Sequence, residues 1–127
     1  MRRLLALAAV ALVGTLAAGC ATQKVYEGPV KPRGDLARID GSPALNAGLP
    51  IQAILRKVDK TEIGVRFSRV LVEPGVHELL VDCLIPAAHT TTRFELSIDV
   101  SAGDHYVLEP ESAPGNKVCS EVRIRPH

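Results

Sequence analysis

Seven side chains carry the chemistry most worth placing in this sequence: Cys20, Cys83 and Cys119, and His77, His89, His105 and His127. A metal site needs two or more such ligands to converge, with carboxylates completing the set. The spacings H-x-H, H-x-x-x-H and C-x-x-C are absent. His77 and His105 each follow a turn, so a small-ligand or metal-binding module would draw on them; paired solvent-facing histidines are nevertheless far commoner than ligands. Nucleophilic catalysis needs a Ser or Cys beside a His and an orienting acid, yet G-x-S-x-G does not occur and Ser42 sits in the turn-like DGSPAL. Glu109 and Glu111 flank Pro110, which suits a solvated loop better than a glycosidase dyad. Phosphate-cradling glycine loops are missing as well. The expectation is therefore a noncatalytic chain with no catalytic, cofactor-binding or metal-ligating residue.

What the cysteines do depends on the segments that carry them. Arg2 and Arg3 precede LLALAAVALVGTLAA, a basic start and an apolar run that together read as a secretory signal peptide over residues 1–19. The run is slightly short for a spanning helix, holds Gly14 near its middle, and is followed by no charged stop-transfer cluster. Leu16-Ala17-Ala18-Gly19-Cys20 resembles the lipobox of bacterial lipoproteins. That resemblance implies a diacylglyceryl thioether on Cys20 Sγ and an acyl chain such as palmitate on its new α-amino group. Each buried CH₂ contributes about 0.8 kcal/mol, so two or three chains give durable anchoring where one does not. The alternative is a cleaved signal whose Cys20 merely joins a disulfide. Ala21 follows the cysteine where an Asp would favour inner-membrane retention. In a Gram-negative cell the resemblance thus implies lipid anchoring in the cell outer membrane, facing the periplasm; in a Gram-positive cell the outer face of the plasma membrane is implied.

With Cys20 so committed, Cys83 and Cys119 remain as an even pair in an exported chain, where an oxidising compartment favours a disulfide. Free buried thiols and a metal pair are the alternatives. Closing a loop of this size stabilises by roughly 3–4 kcal/mol in the chain-entropy model. Without residues 1–19 the chain has 108 residues, enough for one small domain, and thirteen basic residues against fourteen acidic. Near-neutral charge implies no nucleic-acid partner and no polybasic membrane patch. Tyr26, Phe67, Phe94 and Tyr106 are its four aromatics, too few for a stacking platform.

Residues 20–35 mix Gly, Pro and charge and read as a lipidated, flexible tether. Residues 36–127 then form the folded body. Within it Arg93 to Val100 alternates strictly, placing Phe94, Leu96, Ile98 and Val100 on one side. Val65 to Glu73 and Val76 to Cys83, joined by Pro74-Gly75, predict two strands in a hairpin. Ser101 to Asp104 predicts a second hairpin turn and Asp59 to Thr61 a third. Leu36 to Asp40, Ile51 to Val58, His105 to Glu109 and Lys117 to Arg125 supply further β-rich runs. Pro50 to Lys60 also fits a helical period, with strand favoured. His89-Thr90-Thr91-Thr92 predicts an exposed connection, a plain linker more than a binding loop. About seven short strands point to an all-β fold, a small antiparallel β-sandwich.

Val70 to Val81, containing Pro74-Gly75-Val76-His77, followed by Ala102-Gly103-Asp104-His105-Tyr106, resembles the PEGA-like and transthyretin-like sandwich domains of small bacterial outer-membrane lipoproteins. Tyr26-x-Gly28-Pro29 is similar too. These motifs mark turns and a core tyrosine, so the resemblance speaks to fold. The functional expectation is a lipid-anchored envelope module with a structural or protein-interaction role, held to the membrane through Cys20 and engaging an envelope protein; a small-ligand or metal-binding periplasmic module is the alternative.

Overall fold

A computed structural model describes residues 21–44 and 48–127. Nine strands run in chain order as β1 (Thr22–Val25), β2 (Ala37–Asp40), β3 (Gln52–Val58), β4 (Thr61–Glu62), β5 (Arg69–Val72), β6 (Gly75–Ile85), β7 (Thr90–Val100), β8 (His105–Ser112) and β9 (Cys119–Pro126). Single 3₁₀ turns lie at Arg33–Asp35 and Pro86–Ala88. The strands form two sheets, one ordered β1-β5-β2-β8-β9 and the other β4-β3-β6-β7. The all-β, two-sheet architecture agrees with the alternating patterns of the sequence. The four-stranded sheet is antiparallel throughout. The five-stranded sheet is mixed, because β1 runs parallel to β5 and β2 parallel to β8.

The core lies between the sheets and is aliphatic. Ile39, Val70, Val72 and Leu108 from the five-stranded sheet meet Leu55, Val58, Leu79 and Val81 from the other, all buried. In β7 the alternation behaves as its sequence demands: Ile98 and Val100 are buried, Phe94 and Leu96 pack against the core, and Arg93, Glu95, Ser97 and Asp99 face water. β3 resolves the ambiguity at residues 50–60 in favour of a strand, with a register shift between Leu55 and Lys57. Burial on both faces gives Ala53, Ile54 and Leu55 in succession, which is why the run also mimics a helical stripe.

Three expectations are corrected. Glu73-Pro74-Gly75 does not close a hairpin: β5 belongs to one sheet and β6 to the other, so the turn carries the chain across the sandwich, with Gly75 at φ 129°. Ser101 to Asp104 likewise connects β7 to β8 across sheets. The long hairpins are β6–β7, turned through Pro86–Ala88 and His89 at φ 54°, and β8–β9. Of the three predicted turns only Asp59-Lys60 joins paired strands, β3 and β4. The third correction concerns the tether. Within residues 20–35, Thr22 to Val25 pair residue for residue with Arg69 to Val72, and Val25 is buried. A four-residue edge strand bonded to a neighbour needs little hydrophobic signal of its own, so composition alone reads it as linker.

The sheets are also joined covalently. Cys83 of β6 and Cys119 of β9 form a disulfide of 2.04 Å with Cα atoms 6.2 Å apart, both residues buried. Beside it Thr90 Oγ1 donates to the Lys117 carbonyl. On the opposite flank the Gln23 side chain donates to the Glu62 carbonyl at 3.0 Å and accepts from Gly64 N–H at 2.9 Å, tying β1 to the segment after β4. Where the chain leaves β2 for the other sheet, a Cβ on Gly41 would lie 3.0 Å from the Ala53 carbonyl oxygen, so a side chain here would require the β3 backbone to give way.

Candidate functional site

Cys20 and the signal segment lie outside the described residues, and no helix among those described is long and apolar enough to cross a membrane. What the structure places is the surface the anchor would carry. Its most regular open feature is β7. This strand forms the edge of its sheet, pairs only with β6, and does so through eleven consecutive residue pairs, Gly75–Val100 to Ile85–Thr90, with no shift of register. Every second residue of such an edge turns its N–H and C=O away from the partner strand. Edges are commonly blunted by proline, bulges or inward charges. β7 has neither proline nor bulge, and its charges Arg93, Glu95 and Asp99 stand on the outer face rather than pointing inward.

The outer face beside this edge is ordered by one carboxylate. Asp82 of β6 is buried and accepts from Arg93 Nε at 2.8 Å and Arg56 Nε at 2.9 Å, linking β7, β6 and β3. The Arg93 hydrogen bond, then Arg56, hold its pKa below the usual carboxylate range against the opposing effect of burial. The arrangement stiffens the face and engages both oxygens of Asp82 with guanidinium groups.

The predicted histidines fall into two separate sets. His77 Nδ1 lies 2.7 Å from Asp59 Oδ2 and Nε2 lies 2.6 Å from the Glu73 carbonyl. Both ring nitrogens face oxygen acceptors, so only the imidazolium can donate to both. Burial pulls the His77 pKa down, but the bonds to Asp59 and Glu73 outweigh it and the pKa is raised. Asp59 also accepts from Glu78 N–H at 3.0 Å, so the set clamps the β3–β4 turn onto β6. His105 instead reaches Asp40 Oδ2 at 3.1 Å and stacks on His127 with ring centroids 4.3 Å apart. His77 and His105 therefore do not converge on one site. No group of three or more His, Cys, Asp or Glu suited to a metal is present among the described residues. His89 is exposed in the β6–β7 turn. A hollow of about 480 Å³ lies beside it, lined by Ala87, Ala88, Thr90, Gly115, Asn116 and Lys117.

Sequence reasoning reached the cysteine pair but missed the Asp59–His77 and Asp82–Arg93 contacts. Their partners are distant in the chain, and only the cross-strand register brings them together. Compared with protein-family models, with curated proteins and with solved structures, the chain matches none.

Proposed function

We propose that this chain is a lipid-anchored, noncatalytic lipoprotein of the bacterial cell envelope that acts as a protein-interaction module. In this reading Cys20 carries the lipid, the domain faces the periplasm from the outer membrane, and a partner protein adds a strand along β7. The regular β7 edge, free of proline and bulge, is the observation that carries the proposal, because backbone hydrogen bonding to an open edge gives affinity while side chains on alternating positions give selectivity. The lipobox-like end of the signal segment supports the anchor, and anchoring raises the local concentration of the domain near other envelope components, so weak contacts become useful. The resemblance to PEGA-like and transthyretin-like lipoprotein domains favours the same class.

The test is photo-crosslinking in intact cells, with a benzophenone side chain replacing Ser97 on β7 or Lys24 on β1. A discrete protein adduct from position 97 and none from position 24 is the expected result. Equal or absent labelling at the two positions would remove strand addition on β7 from the account.

A further inference from the structure

The two ends of the sandwich differ in charge. β1, β5 and β9 start at one end, where β2, β6 and β8 finish and β3 and β7 begin. The described connections gathered there are residues 41–44, 48–51, 64–68, 86–89 and 113–118, and none of them contains an Asp or Glu. Arg66 and Lys117 are exposed at this end, Arg69 is half-exposed beside them, and none of the three is in an ion pair with a described residue. Of the acids close to these connections in sequence or register, Asp40 is held by Arg38, Glu111 and its cross-strand neighbour Glu121 share Arg123, and Glu62 is exposed with its backbone carbonyl on the Gln23 side chain. At the other end Glu27, Asp35, Asp59, Glu73 and Asp104 outnumber Lys31, Arg33 and Lys60. Charge, not greasiness, sets the ends apart: Val65 and Val118 are exposed at the first, but Val30 and Val76 are exposed toward the second.

The acid-free end is also the end at which β1 begins. Thr22 is already paired with Arg69, so Ala21 alone separates Cys20 from the sheet. A single residue spans roughly 3.5 Å at most. An anchor at Cys20 therefore leaves the domain no spacer with which to stand clear of the headgroups.

We propose that the end of the sandwich formed by residues 64–69, 86–89 and 113–118 rests on anionic phospholipid headgroups, with Arg66, Arg69 and Lys117 facing lipid phosphate. This inference rests on lipid attachment at Cys20 and adds an orientation to it. Juxtamembrane cations strengthen attraction to an anionic surface by about fivefold each, within a Debye length. The hollow at Lys117, Thr90 and Asn116 opens on the same end and is lined by no carboxylate. Seated this way, the sandwich stands with its acidic end toward the periplasm and the β7 edge upright along its side, open to a partner.

The full lipidated chain, reconstituted in vesicles of phosphatidylcholine with and without phosphatidylglycerol, tests the orientation. An environment-sensitive fluorophore goes on Val65→Cys or Ala87→Cys, with Ala102→Cys at the acidic end as the control. With phosphatidylglycerol, nitroxide lipids should quench positions 65 and 87 several-fold more than position 102. High salt, or the exposed-loop double substitution Arg66→Glu with Lys117→Glu, should shrink that difference while the protein still floats with the vesicles. Flotation with equal quenching at all three positions overturns the orientation and leaves the anchor standing. Failure to float brings down the anchor and the orientation with it.

Discussion

At the scale of single residues the molecule is held by side chains that bridge strands, and two of them make testable demands. His77 can satisfy both Asp59 and the Glu73 carbonyl only when protonated. Its pKa is raised in the fold, so its contribution is complete below about pH 6.5 and is lost as pH rises through the folded value. Urea unfolding at pH 6 and pH 9 should show His77→Gln destabilised by about 1 kcal/mol at the lower pH, a value kept small because Asp59 is half-exposed. At pH 9 the difference from the native chain should nearly vanish. A gap that widens with pH would reverse the assignment. Asp82 behaves oppositely: its lowered pKa gives stability that is present above about pH 4 and fades as pH falls through the folded value. Asp82→Ala should cost about 1.5–3 kcal/mol at pH 7, since it removes charge-assisted bonds from both Arg56 and Arg93. Thermal unfolding of the variant at pH 7 measures this, and an unchanged midpoint would show the bridge to be ornamental.

At the scale of elements, the disulfide ties β6 of one sheet to β9 of the other. It closes a 36-residue separation that contains the β6–β7 turn, β7 and β8. Replacing both Cys83 and Cys119 by Ala should cost roughly 3–4 kcal/mol, which for a domain this size corresponds to about 15–30 °C in Tm. Calorimetry of the double variant against the native chain checks it; a loss under 1 kcal/mol would mean that the core and the Thr90–Lys117 bond hold that flank unaided. Strands announce themselves in this sequence where one face is wet and one dry, as at Arg93 to Val100. The cysteine pair is legible too, as the even pair that remains once Cys20 is assigned to the expected anchor. Sheet membership is not. Pro74-Gly75 dictates a tight reversal, but whether the next strand hydrogen-bonds beside the last or crosses the core depends on where every other strand lies. β1 is hidden for a related reason, since an edge strand borrows its order from β5. The β7 edge, the feature on which the candidate site depends, becomes visible only when the order of the strands is known.

At the scale of the whole molecule, the strand directions collect acid-free connections at the end next to Cys20 and acidic ones at the far end. An overall charge near zero conceals this, because the net count averages over two ends of opposite character. Anchoring, orientation and edge recognition then form one account: lipid at the base, cations on headgroups, and a strand edge presented along the side. The base is the part on which the others stand. Mass spectrometry of the N-terminal peptide of the chain recovered from its native membrane tests it most directly. The account predicts a peptide that begins at Cys20 and carries a diacylglyceryl thioether; an intact leader, or a free thiol at Cys20, would contradict it.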